Sequence, residues 1–197
     1  TLNKQAFIVY SKSSVSLDAF MEEVNKLTEY KDIFIDRNTA LNKAGENTLL
    51  IIVDTHKKNY IEVPEILEKT NKIVIIDHHR KSPDFIDNAT LVFHEVYASS
   101  AAELVTELIE YSDKNIELTT IEVEALYAGI MVDTKNFTFK TGVRTFEAAA
   151  YLRKYGVDII KVKKWFQSDL ETYHKISEII GKTEVVNDTI GISVYDK

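Results

Sequence analysis

Residues 71–80, "NKIVIIDHHR", decide the fold: four aliphatic side chains in succession run into an acid and two adjacent histidines. A short apolar run with no polar alternation suits a strand covered on both faces, the usual state of a parallel sheet. Working outward, "AFIVY" (6–10), "DIFID" (32–36), "TLLIIV" (48–53) and "TLVFHEV" (90–96) repeat the strand signal. Between the first two, "SLDAFMEEVNKLTEY" (16–30) places Leu17, Phe20, Val24 and Leu27 at helical spacing, and "VPEILEKT" (63–70) opens near a proline as a helix does. Strand and helix in alternation predict an α/β fold with a parallel sheet and helices on both faces.

Past residue 97 the chain turns helical: "SSAAELVTELIEY" (99–111), "TTIEVEALYAGIMV" (119–132) and "RTFEAAAYLRKYG" (144–156), with Ser and Thr at the N-cap positions and Gly156 at a stop. A long helix is predicted over 158–181, ending near Gly181, and "TEVVNDTIGISVY" (183–195) reads as two strands about an Asn187-Asp188 turn. The expected organisation is therefore a first domain over 1–157, a linker helix over 158–181 and the start of a second α/β domain over 182–197.

The bulk numbers narrow the function classes. The 197 residues carry a formal charge of −7, with basic residues scattered, which argues against a duplex nucleic-acid face. The chain has no cysteine, which removes disulfides and thiolate metal sites and leaves a cytoplasmic location open. No apolar run approaches the roughly 18 residues of a membrane span. The chain begins at Thr1, which suggests a segment excised from something longer.

Three aspartates follow apolar runs: Asp54 in "LLIIVDTHK", Asp77 in "IVIIDHHR" and Asp133 in "YAGIMVDTKNF". Ligands gather at the carboxyl ends of parallel strands, which puts Asp54, Asp77, His78 and His79 on one rim; Asp133 ends a helical segment and joins the group by its chemistry alone. Carboxylate and imidazole together form an oxygen and nitrogen ligand set suited to Mn²⁺, Fe²⁺, Co²⁺ or Zn²⁺ and tolerable for Mg²⁺. A pair of such ions about 3.5–4 Å apart, sharing a bridging carboxylate, makes hydroxide from water near neutral pH and so serves phosphoester hydrolysis. Other nucleophiles have no support, since neither G-x-S-x-G nor G-x-x-x-x-G-K-[ST] occurs. Plainer roles stand beside these: Asp54 as an N-cap or Asx turn, and Ser99 and Ser100 as helix caps. His94 and His174 are read as structural, and so is His56, though it lies two residues after Asp54.

At these residues the sequence resembles the DHH phosphoesterase superfamily, which takes its name from the triplet Asp77-His78-His79. The wider run "VDTHK" (53–57), "IDHHR" (76–80), "YASSAAELVTELIEY" (97–111) and "AGIMVDTKNFTFKTGVRTFEAAAYLRKYG" (128–156) is similar to bacterial membrane-anchored cyclic-di-AMP phosphodiesterases. The resemblance implies a Mn²⁺-dependent hydrolase that opens cyclic-di-AMP to the linear dinucleotide through metal-activated hydroxide, with a small nucleotide as its partner. Asp54 would bridge two Mn²⁺ ions, and His78 and Asp133 would complete the second ion's ligands. His79 would touch the phosphate or its leaving oxygen, Asp77 would orient the imidazoles, and Arg80 would grip phosphate or stay a solvated surface charge. Alternatives of the same chemistry are an oligoribonuclease or exopolyphosphatase, and of another class a nucleotide-binding module without catalysis.

Two family elements have no match in this chain: an earlier His-x-x-x-Asp-x-Asp motif and a closing Gly-Gly-His element. The expectation is an internal piece of such an enzyme holding one metal at best, with residues 1–157 as a DHH domain and 182–197 as the opening of a DHHA1-like one. Membrane anchorage would come from segments outside it, and nothing in the residues opposes a homodimer.

Overall fold

A computed structural model describes residues 4–10, 17–112, 116–167 and 169–195. The chain divides into two compact units, one ending at Trp165 and one beginning at Phe166.

In the first unit, β1 (Ile8–Val9) and β2 (Phe34–Ile35) pair in parallel, joined by α1 (Asp18–Asn25). After α2 (Arg37–Lys43) come β3 (Leu49–Val53), β4 (Lys72–Asp77) and β5 (Leu91–His94), which form a second parallel sheet in the order β3-β4-β5. Then follow α3 (Ala101–Glu110), α4 (Thr120–Asp133), α5 (Val143–Lys154) and α6 (Ile159–Trp165). The predicted α/β class with parallel strands is the one observed. The five expected strands are shared between two sheets among the described residues, and β1, β2 and β5 are shorter than the runs that announce them.

The pleat of β4 organises the core, because alternate side chains leave a strand on opposite faces. Ile73 and Ile75 join Ile52 and Ile86 on one face, while Val74 and Ile76 meet Phe93, Ala98 and Leu104 of α3 on the other. The neighbouring run "LLIIV" behaves differently. Leu49, Ile51 and Val53 are about half exposed, so β3 is not covered on both faces as its composition suggested. β3 lies at the edge of its sheet, and an apolar run cannot tell an edge strand from a central one.

Helix ends follow side-chain chemistry. Ser100 caps α3 by accepting from the Glu103 N–H at 3.0 Å, and Thr119 and Glu122 form a reciprocal capping box at the start of α4. α4 buries Ile121, Val123, Tyr127, Ala128, Ile130 and Met131, which at 100° per residue fall within one half of its circumference, while Val132 stays exposed. It lies so close to α3 that a Cβ on Gly129 would come within 2.7 Å of the Ala102 Cβ. Two expected helices are reduced. Pro64–Glu68 is a five-residue 3-10 helix, too short to offset the cost of an α nucleus, and α1 stops at Asn25, with Leu27 extended before a separate 3-10 turn at Thr28–Tyr30.

The single helix expected over 158–181 is two: α6, and α7 (Leu170–Gly181) in the second unit. Asp169 makes the fresh start by accepting from the Thr172 N–H at 2.7 Å. In that unit β6 (Glu184–Val186) and β7 (Ile190–Ile192) form the expected antiparallel hairpin, joined by Asn187, Asp188 and Thr189, with Asn187 and Asp188 both at positive φ. Among the described residues, no helix is long and apolar enough to cross a membrane.

Candidate metal centre

The register of β3 on β4 brings the first two acids together. Val53 pairs with Ile76, and the next amide, Asp54 N–H, donates to the Ile76 carbonyl at 2.9 Å, so Asp54 emerges beside the end of β4. Asp54 then turns into the left-handed region, with φ 63°, which carries its side chain off the strand path.

The pleat splits the triplet that follows. Asp77 continues the Ile73 and Ile75 face and is fully buried there. One of its carboxylate oxygens accepts from the backbone N–H groups of His78 (2.8 Å) and His79 (3.2 Å) and from His79 Nδ1 (2.8 Å), and the other accepts from His56 Nδ1 at 2.5 Å. Burial on its own raises a carboxyl pKa, but the hydrogen bonds from His79 and His56 outweigh it, so Asp77 lies below the ordinary range and stays ionised.

His78 falls on the opposite, helical side. Its Nδ1 faces the Ala98 carbonyl just ahead of α3 at 3.3 Å. That contact turns Nε2 outward, to 3.2 Å from Asp54 Oδ1 and 3.6 Å from Asp133 Oδ2 at the last residue of α4. The hydrogen bond to Asp54 and the charge of Asp133 raise the pKa of the buried His78 ring against the opposing effect of its burial. Asp133 is itself pushed up by burial and by the negative charge of Asp54. Two carboxylates thus converge on one imidazole nitrogen, an arrangement that draws in positive charge. A divalent cation satisfies it with the mixed oxygen and nitrogen donors such ions take, and the residues fit the expected metal on that ground.

His79 is half exposed; its Nδ1 is tied to Asp77 and lies 3.9 Å from Asp54 Oδ1, leaving Nε2 as its other hydrogen-bonding atom. Asp54, His78 and His79 each offer a ligand atom within 4.8 Å of the others. A second cluster of that kind, His56, Asp77 and His94, is already consumed by hydrogen bonds, since both Asp77 oxygens are engaged and His94 Nε2 meets the His79 carbonyl oxygen.

The structure therefore brings together Asp54, His78, His79 and Asp133, with Asp77 behind them. Arg80 is exposed and is not among the residues lining the cavity next to the site. Ser99, read as a cap, is buried, lines that cavity and donates to Glu103 through its hydroxyl. His56 is the residue that sequence reasoning undervalued. It is 1% exposed, and the Ser82 N–H donates to its Nε2 at 3.2 Å, which assigns the proton to Nδ1 and aims it at Asp77. Its only signal in the sequence is its place two residues after Asp54. Lys135, Phe139 and Lys140, in the turn beyond Asp133, also line the cavity and carried no signal that was read.

Parallel strands that end in a rim of acids, with the triplet at the end of β4, define an α/β domain with a candidate cation site, and residues 5–130 match the DHH family, N-terminal domain. The chain belongs to that family. It is 42% identical over 193 residues to a cyclic-di-AMP phosphodiesterase, GdpP, of Bacillus subtilis (strain 168), covering 97% of this chain and 29% of the relative. To the cyclic-di-AMP phosphodiesterase PdeA of Listeria monocytogenes serotype 1/2a (strain 10403S) it is 38% identical over 194 residues, again covering 97% and 29%. The chain thus spans less than a third of the length of these relatives. Among solved structures, an exopolyphosphatase-related protein from Bacteroides fragilis superposes with a TM-score of 0.77 at 18% identity, over 92% of this chain and 53% of that one, a likeness of fold.

Proposed function

We propose that this chain supplies metal-holding residues of a phosphodiesterase that opens cyclic-di-AMP to its linear dinucleotide. The observation that carries the reading is the approach of His78 Nε2 to carboxylate oxygens of both Asp54 and Asp133, residues far apart in sequence. The names of the GdpP and PdeA relatives support the substrate.

In this reading Asp54, His78 and Asp133 would hold a divalent cation, Mn²⁺ being the candidate, and Asp54, the most open of the three, would be the ligand shared with a second ion if other segments supply the rest of that ion's ligands. When bound, the cation supplies a Lewis acid for the phosphoryl oxygens and an acidified water. The chain's own residues do the rest. Asp77 holds the His79 ring by Nδ1–H, which leaves Nε2 as the atom that would face a phosphate oxygen or the departing ribose oxygen, an acceptor in the neutral ring and a donor only when the ring carries both protons. The Ala98 carbonyl keeps His78 in one ring orientation, a support that metal-bound imidazoles need. Arg80, at the exposed rim, is the candidate for a more distant phosphate contact. The same reading takes residues 1–157 as the DHH domain and the hairpin from 182 onward as the opening of a DHHA1-like substrate domain, with anchorage to a membrane left to other segments.

The test is hydrolysis of cyclic-di-AMP with Mn²⁺ by the full translated protein that carries this chain, alongside short oligoribonucleotides and linear polyphosphate. Asp54→Ala and His78→Ala should each lower kcat/KM by more than about 100-fold, beyond what loss of a residue that merely supports a ligand costs. Unaltered turnover in both variants would overturn the assignment, and preference for another member of the panel would move the substrate.

A further inference from the structure

The cavity beside the candidate metal centre measures about 290 Å³, and its lining mixes opposite chemistries: His78, His79, Ser99 and Asp133 together with Lys135, Phe139 and Lys140. The Asp133 carboxylate calls for a cation. The two ammonium groups call for an anion, and an exposed aromatic ring stands between them in sequence.

The turn carrying these two lysines has an unusual backbone. Lys135, Asn136 and Phe137 are all left-handed, with φ of 47°, 57° and 62°, and Lys140 follows at 51°. One such residue is ordinary at a helix C-terminus, usually as glycine or asparagine. Three in succession, two of them Lys and Phe, are more than a cap requires, and such geometry persists only where the surroundings over-determine it. Here they do. The Asn136 N–H donates to the Met131 carbonyl at 2.8 Å, the Thr138 and Phe139 N–H groups both reach the Thr134 carbonyl at 2.8 Å, and the Phe137 N–H donates to Thr134 Oγ1 at 2.9 Å. Thr134 Oγ1 in turn donates back to the Ile130 carbonyl at 2.7 Å. The turn is thus locked to the last helical turn of α4, the same turn that presents Asp133.

The two phenylalanines of the turn have different fates. Phe137 is part-buried and packs between Tyr127 and Phe146, with ring centroids 5.6 and 5.8 Å away. Phe139 is 56% exposed, and its ring is met by the Lys135 ammonium at 4.9 Å. An exposed aromatic on a rigid, cationic turn beside a cation site is a stacking platform for a planar group attached to a phosphate.

We propose that residues 134–140 form the nucleotide grip of this site, with Phe139 stacking on a nucleobase and Lys135 and Lys140 holding the attached phosphate. The inference rests on the phosphodiesterase reading for the identity of the reacting bond, but the grip itself binds a nucleoside monophosphate whether or not hydrolysis occurs.

Its test is therefore a binding experiment. Adenosine 5′-monophosphate, ribose 5-phosphate and inorganic phosphate are titrated into the protein by calorimetry, with circular dichroism confirming that each variant is folded. The nucleotide should bind about tenfold more tightly than ribose 5-phosphate, the contribution of one stacked base. Phe139→Ala should abolish that difference and Phe139→Tyr should keep it. Lys140→Gln should weaken nucleotide and sugar phosphate alike by several-fold, with Lys140→Arg restoring both. Equal affinity of wild type for the two ligands, no measurable nucleotide binding, or a base preference that survives Phe139→Ala would each overturn the grip. Absence of cyclic-di-AMP hydrolysis with the base preference intact would instead overturn the phosphodiesterase reading and leave the grip standing.

Discussion

His56 is the residue on which the geometry of the triplet turns. With its Nε2 accepting from Ser82, its Nδ1 proton is committed to Asp77, and Asp77 in turn fixes the His79 ring and the backbone amides of both triplet histidines. Truncation by His56→Ala should leave a buried carboxylate oxygen without its donor, destabilising the fold by about 3 kcal/mol in urea denaturation. Mn²⁺ affinity should fall by about 10–100-fold, as when other supports of metal ligands are lost. His56→Asn, whose amide nitrogen can take the place of Nδ1, should recover much of both. Full metal affinity in His56→Ala would show that Asp77 holds the ring without it. At this scale the sequence was legible for residues whose chemistry is conspicuous in a short window, such as Asp77-His78-His79. It was silent on His56, because a buried histidine and a surface histidine look alike until their neighbours are known.

Elements decide how far apart the ligands lie. Asp54 and Asp77 are set by strand register, but Asp133 arrives on α4, whose position depends on its close approach to α3 at Gly129. A methyl group there would come within 2.7 Å of the Ala102 Cβ, a contact that side-chain rotation cannot relieve. Gly129→Ala should therefore push the two helices apart and cost about 1–3 kcal/mol in thermal or urea unfolding. Because α4 carries Asp133, Mn²⁺ affinity measured by calorimetry should fall with it; unchanged stability and affinity would mean that the helices yield without moving the ligand. Element type was readable where period and caps agree, as in α3, α4 and the β6–β7 hairpin. It was misread in two kinds of place: where short polar breaks divide a helical pattern, as at Asp169, and where an edge strand carries the composition of a central one, as β3 does.

For the molecule as a whole, a ligand that binds only the folded state stabilises it by mass action. Mn²⁺ at about 100 times its Kd should add about 2.7 kcal/mol and raise Tm by about 5–10 °C, read by differential scanning calorimetry. EDTA should reverse the shift, and Asp54→Asn or His78→Gln should abolish it. Phe139→Ala should retain it, since Phe139 is placed to meet a nucleotide and not the cation. A Tm indifferent to Mn²⁺ would remove the metal from this site.

Taken alone, the sequence determined the α/β class, the acids and histidines able to hold a metal, and the family resemblance, because hydrophobic period and residue chemistry are local properties. Tertiary structure decided that Asp54, His78 and Asp133 meet, that His56 stands behind Asp77, and that the turn after Asp133 faces the same cavity. Those facts depend on strand register, on the pleat that sends Asp77 and His78 to opposite faces, and on the closeness of two helices. Each is a relation between distant segments, set by packing of the whole core.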